Sequence, residues 1–120
     1  MAENTLYRIA LASSDGENVN VHFGKADTFL VYSLSDESDA AFFEKRSVVP
    51  VCKGGSHDEE RMKENAALFE DCRYVIAERI GRAAGAHLAA NGVTSMELPG
   101  SIADAVLKVQ KYNQIQGLFA

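Results

Sequence analysis

Leu6-Tyr7-Arg8-Ile9-Ala10-Leu11-Ala12-Ser13 is the stretch on which the fold turns. Tyr7, Ile9 and Leu11 alternate with Leu6, Ala10 and Ala12, and Arg8 is the lone charge near the start. Both faces of such a strand are mostly apolar, so it belongs at the centre of a sheet covered on both sides. Ser13-Ser14-Asp15-Gly16 ends it with turn-forming residues. Residues 28–34 are rich in aromatic and branched side chains and read as a second strand. Ser35-Asp36-Glu37-Ser38-Asp39 is a polar turn, and residues 41–49 read as a third strand in hairpin with the second.

Helical spacing takes over further along. Ser56-His57-Asp58-Glu59 has the S-x-x-E form of a capping box, and Met62, Ala66 and Phe69 follow at i, i+4 and i+7. Tyr74-Val75-Ile76-Ala77 is a short buried strand. Residues 83–91 form a small helix stopped by Asn91-Gly92, with glycine where a left-handed C-cap is wanted. Residues 93–98 make a last strand. Ser101 opens a third helix with Ile102, Ala105, Val106 and Val109 on one face, and residues 113–120 are expected as a loosely held tail. The order is β-β-β-α-β-α-β-α. Early hairpin pairing is antiparallel and the later β-α-β steps are parallel crossovers. One mixed five-stranded sheet with helices on both faces satisfies both, which is a three-layer α/β/α sandwich with its core over residues 6–112.

Composition narrows the function. With 120 residues the chain has room for one domain. A formal charge of −5 argues against nucleic acid as the main partner, because phosphate binding needs clustered Lys and Arg. No apolar run nears the roughly 18 residues of a membrane span, and Met1-Ala2-Glu3-Asn4-Thr5 lacks the features of a signal peptide. The expected setting is the cytoplasm. Cys52 and Cys72 are the only cysteines and form no CxxC pair, so reduced thiols are expected.

On such sheets ligands sit beyond the carboxyl ends of the strands, which here means the loops at residues 13–25 and 78–85. In the first lies Asn18-Val19-Asn20-Val21-His22-Phe23-Gly24-Lys25-Ala26-Asp27. His22 can ligate a borderline metal at neutral pH, or simply cap a turn, and Gly24 allows close approach or positive φ. Cys52 is either a thiolate ligand on a loop loosened by Gly54-Gly55 or a small strand-end residue. Cys72, between a helix and a strand, reads as buried packing. His57 lies five positions from Cys52 and either joins a site there or is solvated; His87 is expected at the surface. Glu78-Arg79-Ile80-Gly81-Arg82 leaves a strand for a helix, whose first N–H groups favour an anion. Arg79, Arg82, Lys25 and Lys53 would add positive potential, or are ordinary solvated surface.

An enzyme finds little support. Asp15 follows the first strand, but no second and third acid fall at neighbouring strand ends as a Mg²⁺-dependent nuclease requires. No G-x-S-x-G, G-x-G-x-x-G or Walker-A pattern is present. A protein-binding regulatory or assembly module without metal remains an alternative.

Several separated pieces, in order, resemble the dinitrogenase iron–molybdenum cofactor biosynthesis family, which takes in NifX, NafY and the C-terminal domain of NifB. They are Ile9-Ala10-Leu11-Ala12-Ser13-Ser14-Asp15-Gly16, Val19-Asn20-Val21-His22-Phe23-Gly24, Phe29-Leu30-Val31-Tyr32, Cys52-Lys53-Gly54-Gly55, Asp71 to Gly81, Gly92-Val93 and the helix at Ile102 to Val109. The resemblance implies a ribonuclease-H-like fold. It also implies non-catalytic binding of an iron–molybdenum cofactor precursor, an iron–sulfur cluster or another metal–sulfur cluster. Assembly or acceptor proteins are the implied partners, and neither nucleic acid nor membrane is. Together with the reading above, it points to His22, Cys52 and His57 as metal ligands. The contacts around them would come from Phe23, Gly24, Lys25, Lys53, Gly54, Gly55, Arg79, Gly81 and Arg82. Val21 departs from the family pattern, where a polar residue often precedes His-Phe-Gly. The chain also lacks the cysteine triplet of a radical-SAM cluster, so the cofactor-building chemistry of full-length NifB is not expected.

Overall fold

A computed structural model describes residues 5–51 and 58–118. Along the chain run β1 (Tyr7–Ala12), β2 (Asn18–Val19), a 3₁₀ turn (Phe23–Lys25), β3 (Thr28–Leu34), β4 (Ala41–Ser47) and α1 (Asp58–Ala67). They are followed by β5 (Tyr74–Ala77), α2 (Arg82–Ala90), β6 (Thr94–Glu97), β7 (Gly100–Ser101) and α3 (Ile102–Gly117). The main sheet has the order β4-β3-β1-β5-β6. β1 is antiparallel to β3 and parallel to β5, so the strand that is apolar on both faces does sit in the middle.

Alternation along β1 and β5 sorts the core into two layers. Ala10, Ala12, Val75 and Ala77 face α1 and α2. Their small side chains leave room for Phe23, Phe29 and Phe69, whose ring centroids lie 4.6–6.2 Å apart. Tyr7, Ile9, Leu11, Tyr74 and Ile76 face α3 and meet Ile102, Ala105, Val106 and Val109. This is the expected three-layer sandwich.

Helix ends follow local chemistry. Gly92 has φ 78° just past α2. The Val93 N–H donates to the Leu88 carbonyl and the Gly92 N–H to the Ala89 carbonyl, a Schellman ending. Ser101 Oγ caps α3 by accepting the Asp104 N–H at 3.0 Å. Helix α1 stops at Ala67, before Phe69, yet Phe69 stays fully buried in the turn that follows.

Three further features differ from the sequence expectation. β2 and β7 form a separate two-stranded ladder, with Asn18 opposite Ser101 and Val19 opposite Gly100. Two-residue strands have no period to read. The third strand ends at Ser47 rather than residue 49, and Val48 turns into the core. Helix α3 runs on to Gly117, into the stretch expected as a loose tail. Asn113 ties it down: its Oδ1 accepts the Tyr74 hydroxyl at 2.6 Å and its Nδ2 donates to Asp36. Among the described residues, no helix is long and apolar enough to cross a membrane.

Candidate functional site

β5 ends at Ala77, but its ladder continues. The Glu78 N–H donates to the Val21 carbonyl at 3.0 Å, and the Phe23 N–H donates to the Arg79 carbonyl at 2.8 Å. These bonds set His22 beside Arg79 in a parallel bridge. The segment around His22 is therefore a strap pinned to the outgoing end of β5. Phe23 is its root: only 1% exposed, it stands edge-on to Phe29 and Phe69. Burial makes the Phe23 side chain the anchor of the strap.

Next to that root His22 points outward. Its side chain is 45% exposed, with Nε2 3.6 Å from Glu78 Oε1, an ion-pair distance longer than a hydrogen bond. The 3₁₀ turn closes behind it, the Lys25 N–H donating to the His22 carbonyl at 3.0 Å. Gly24 does not take positive φ. Its carbonyl accepts the Val51 N–H at 2.8 Å, so the chain enters residues 52–57 from beside the strap. Cys52, Lys53, Gly54, Gly55 and His57 lie outside the described residues.

Just before α2 the protein's own carboxylate meets two backbone amides. Glu97 Oε2 accepts the Ile80 N–H at 2.8 Å and the Gly81 N–H at 3.4 Å. Those amides, aided by Arg79 and His22, hold the Glu97 carboxyl below the usual carboxylate range. This carboxylate ties the end of β6 to the turn that leads into α2. Gly81 itself has φ 83° where α2 begins, a left-handed conformation that a side chain would strain. Arg79, Arg82 and Lys25 are exposed around the strap.

Sequence reasoning missed Glu97 as a member of this neighbourhood. Its signal is only in the register: parallel pairing puts Glu97 opposite Ala77, the residue just before the Glu78–Gly81 turn.

Other candidates are committed elsewhere. Asp15 accepts the Glu17 and Asn18 N–H groups through Oδ1, both at 2.8 Å, and the Asn18 amide through Oδ2 at 3.0 Å. These donors keep it ionised far into acid and make it the organiser of its own loop. Cys72 is buried, and burial pushes its thiol up to about 12. His87 is half-buried rather than at the surface, because α2 packs against α1 and sets its Nε2 4.0 Å from Glu59. Among the described residues, no three of His, Cys, Asp and Glu come together as a metal site.

Residues 5–112 match the family model described as dinitrogenase iron–molybdenum cofactor. The FeMo cofactor biosynthesis protein NifB of Chlorobaculum tepidum is 36% identical over 101 residues, covering 84% of this chain and 23% of NifB. Protein NifY of Klebsiella pneumoniae is 30% identical over 97 residues, covering 80% of this chain and 40% of NifY. The chain thus spans well under half the length of these relatives. Among solved structures, the crystal structure of PH0822 superimposes with a TM-score of 0.66 at 21% identity, over 87% of this chain and 88% of that one. A family match over nearly its whole length places this chain in the dinitrogenase iron–molybdenum cofactor family.

Proposed function

We propose that this domain is a carrier. It binds an iron–molybdenum cofactor precursor or a related metal–sulfur cluster through His22, catalyses no reaction on it, and passes it to an acceptor protein in the cytoplasm. The observation that supports the reading is a half-exposed imidazole on a strap whose backbone is fixed on both sides of it. A side chain held this way presents a ligand without reorganisation, and a site with few protein ligands leaves coordination positions open for hand-over. Closed four-ligand centres do the opposite.

Cys52 and His57 are the proposed further ligands, supported by the Val51–Gly24 hydrogen bond that starts their segment beside the strap. Lys25, Lys53, Arg79 and Arg82 would offset the negative charge of a cluster. Gly54 and Gly55 would let their loop adjust to it. Gly81 would contribute conformation rather than an N–H, since Glu97 already engages that donor.

The test is anaerobic loading with a metal–sulfur source, read as bound metal per chain, for the parent protein and His22→Ala. Loss of most of the bound metal in the variant, with an unchanged fold and transfer from the parent to an apo-acceptor, is the expected result. Equal uptake by both proteins, or a parent that never releases its metal, overturns the reading.

A further inference from the structure

The two faces of the sheet are covered unequally. α1 and α2 share one face, while α3 alone covers the other. Beside α3, over β3 and the start of β4, this leaves an open groove of about 540 Å³. Tyr32 and Ala40 form its floor, and Ile102, Val106 and Leu107 form its wall. Phe42 stands edge-on to Tyr32 at 5.6 Å and is 57% exposed; Leu107 is 63% exposed. Gln110 stiffens the wall by donating to the Ser35 and Ser38 carbonyls, both at 2.8 Å.

Charge selects the occupant. Glu17 and Asp39 are both exposed in the lining, whose described residues include no Lys or Arg. Lys45 shares this face of β4, opposite Leu30 in register, but lies outside the lining. Glu17 follows β1, whereas Asp39 lies between β3 and β4. Because β1 and β3 are antiparallel, those two loops sit at opposite ends of the sheet. A strand of this length spans roughly 20 Å, which about 13 residues of helix would match.

We propose that the groove takes an amphipathic helix of a partner protein, about four turns long. It lies alongside α3 with its apolar face on Tyr32, Phe42 and Leu107 and a basic residue near each end. It completes the helical layer that α3 begins, which is the helix-in-groove mode of recognition. The site is separate from the His22 strap and does not depend on the cargo.

The test titrates the ¹⁵N-labelled chain with two synthetic 14-residue helical peptides that share a leucine face. One has lysines at both ends, the other glutamates. Expected are chemical-shift changes at Tyr32, Ala40, Phe42 and Leu107, and binding of the lysine peptide at least tenfold tighter at low salt. The charge-swapped double variant Glu17→Lys, Asp39→Lys should invert that order. Leu107→Glu, at an exposed position, should remove the shifts without unfolding the chain. Equal affinity for the two peptides, or shifts confined to other surfaces, overturns the proposal. So does concentration-dependent self-association of the parent chain that Leu107→Glu abolishes, which would make a second copy the occupant.

Discussion

Two charge clusters in this molecule have similar ingredients and opposite degrees of commitment. Around Asp71, Arg46 makes a bidentate pair at 2.9 and 3.0 Å, and Arg8 adds a third bond at 3.0 Å. Arg46 also reaches Glu44 and the Leu68 carbonyl, lies over the Phe69 ring, and is only 17% exposed. At the strap, His22 and Glu78 stand 3.6 Å apart, each nearly half exposed. The first cluster satisfies itself and holds β4 to the turn before β5. The second stays open to solvent. A packed, bidentate pair stabilises a fold, whereas an exposed pair contributes little. What matters is burial and geometry rather than the presence of opposite charges.

The strongest way to break this contrast is at the root of the strap. Phe23→Ala removes a ring from the Phe23–Phe29–Phe69 cluster, and a core truncation of this kind costs about 3–5 kcal/mol. Urea unfolding should show that loss, and a stability near the parent's would mean the strap is not rooted in the core. Arg46→Ala comes next, at about 2 kcal/mol, from lost hydrogen bonds to charged groups and lost stem packing. The same denaturation experiment measures it.

A gentler probe is acid. Hydrogen bonds from Arg46 and then Arg8, working against partial burial, hold Asp71 down at about 2. A carboxyl whose folded pKa lies below its unfolded value of about 3.9 stabilises the fold above that value. Its contribution is lost as pH falls from about 4 towards 2. Asp71→Asn should flatten stability against pH in that window, and an unchanged slope would assign the acid sensitivity elsewhere. The smallest effect is expected at the strap itself. Glu78→Gln should shift the unfolding free energy by less than about 0.5 kcal/mol, as for an exposed pair. A loss comparable to that of Arg46→Ala would erase the distinction between the clusters.

Much of the fold was legible because its elements carry their own periodicity. β1 announces its central place by being apolar on both faces, and β5 by four consecutive apolar residues. α2 declares its end through Asn91-Gly92. The missed features depend on partners distant in sequence. β2 exists only because β7 lies beside it, some eighty residues on. Asn113 is an unremarkable polar residue until Tyr74 and Asp36 meet it. At the site, sequence placed His22 on an outward loop between strands. That Phe23 turns inward while His22 turns outward was not legible, because adjacency in a motif says nothing about which side chain faces the core. Glu97 was invisible for the same reason as β2: only the β5–β6 register brings it to the Ile80 and Gly81 amides.

The middle position of β1 sets an order on the birth of the molecule. One neighbour, β3, is made soon after it, but the other pairs Ile9 with Tyr74. At translation speeds of 5–20 residues per second, the intervening chain takes on the order of several seconds to synthesise. Throughout that interval the edge of β1 that will accept β5 has no strand beside it, and both its apolar faces await α1, α2 and α3. The nascent chain is therefore an unguarded sheet edge of the kind that invites mispairing. On a ribosome, that edge stays open until Ala77 has emerged, and one face of β1 stays uncovered until α3 has followed.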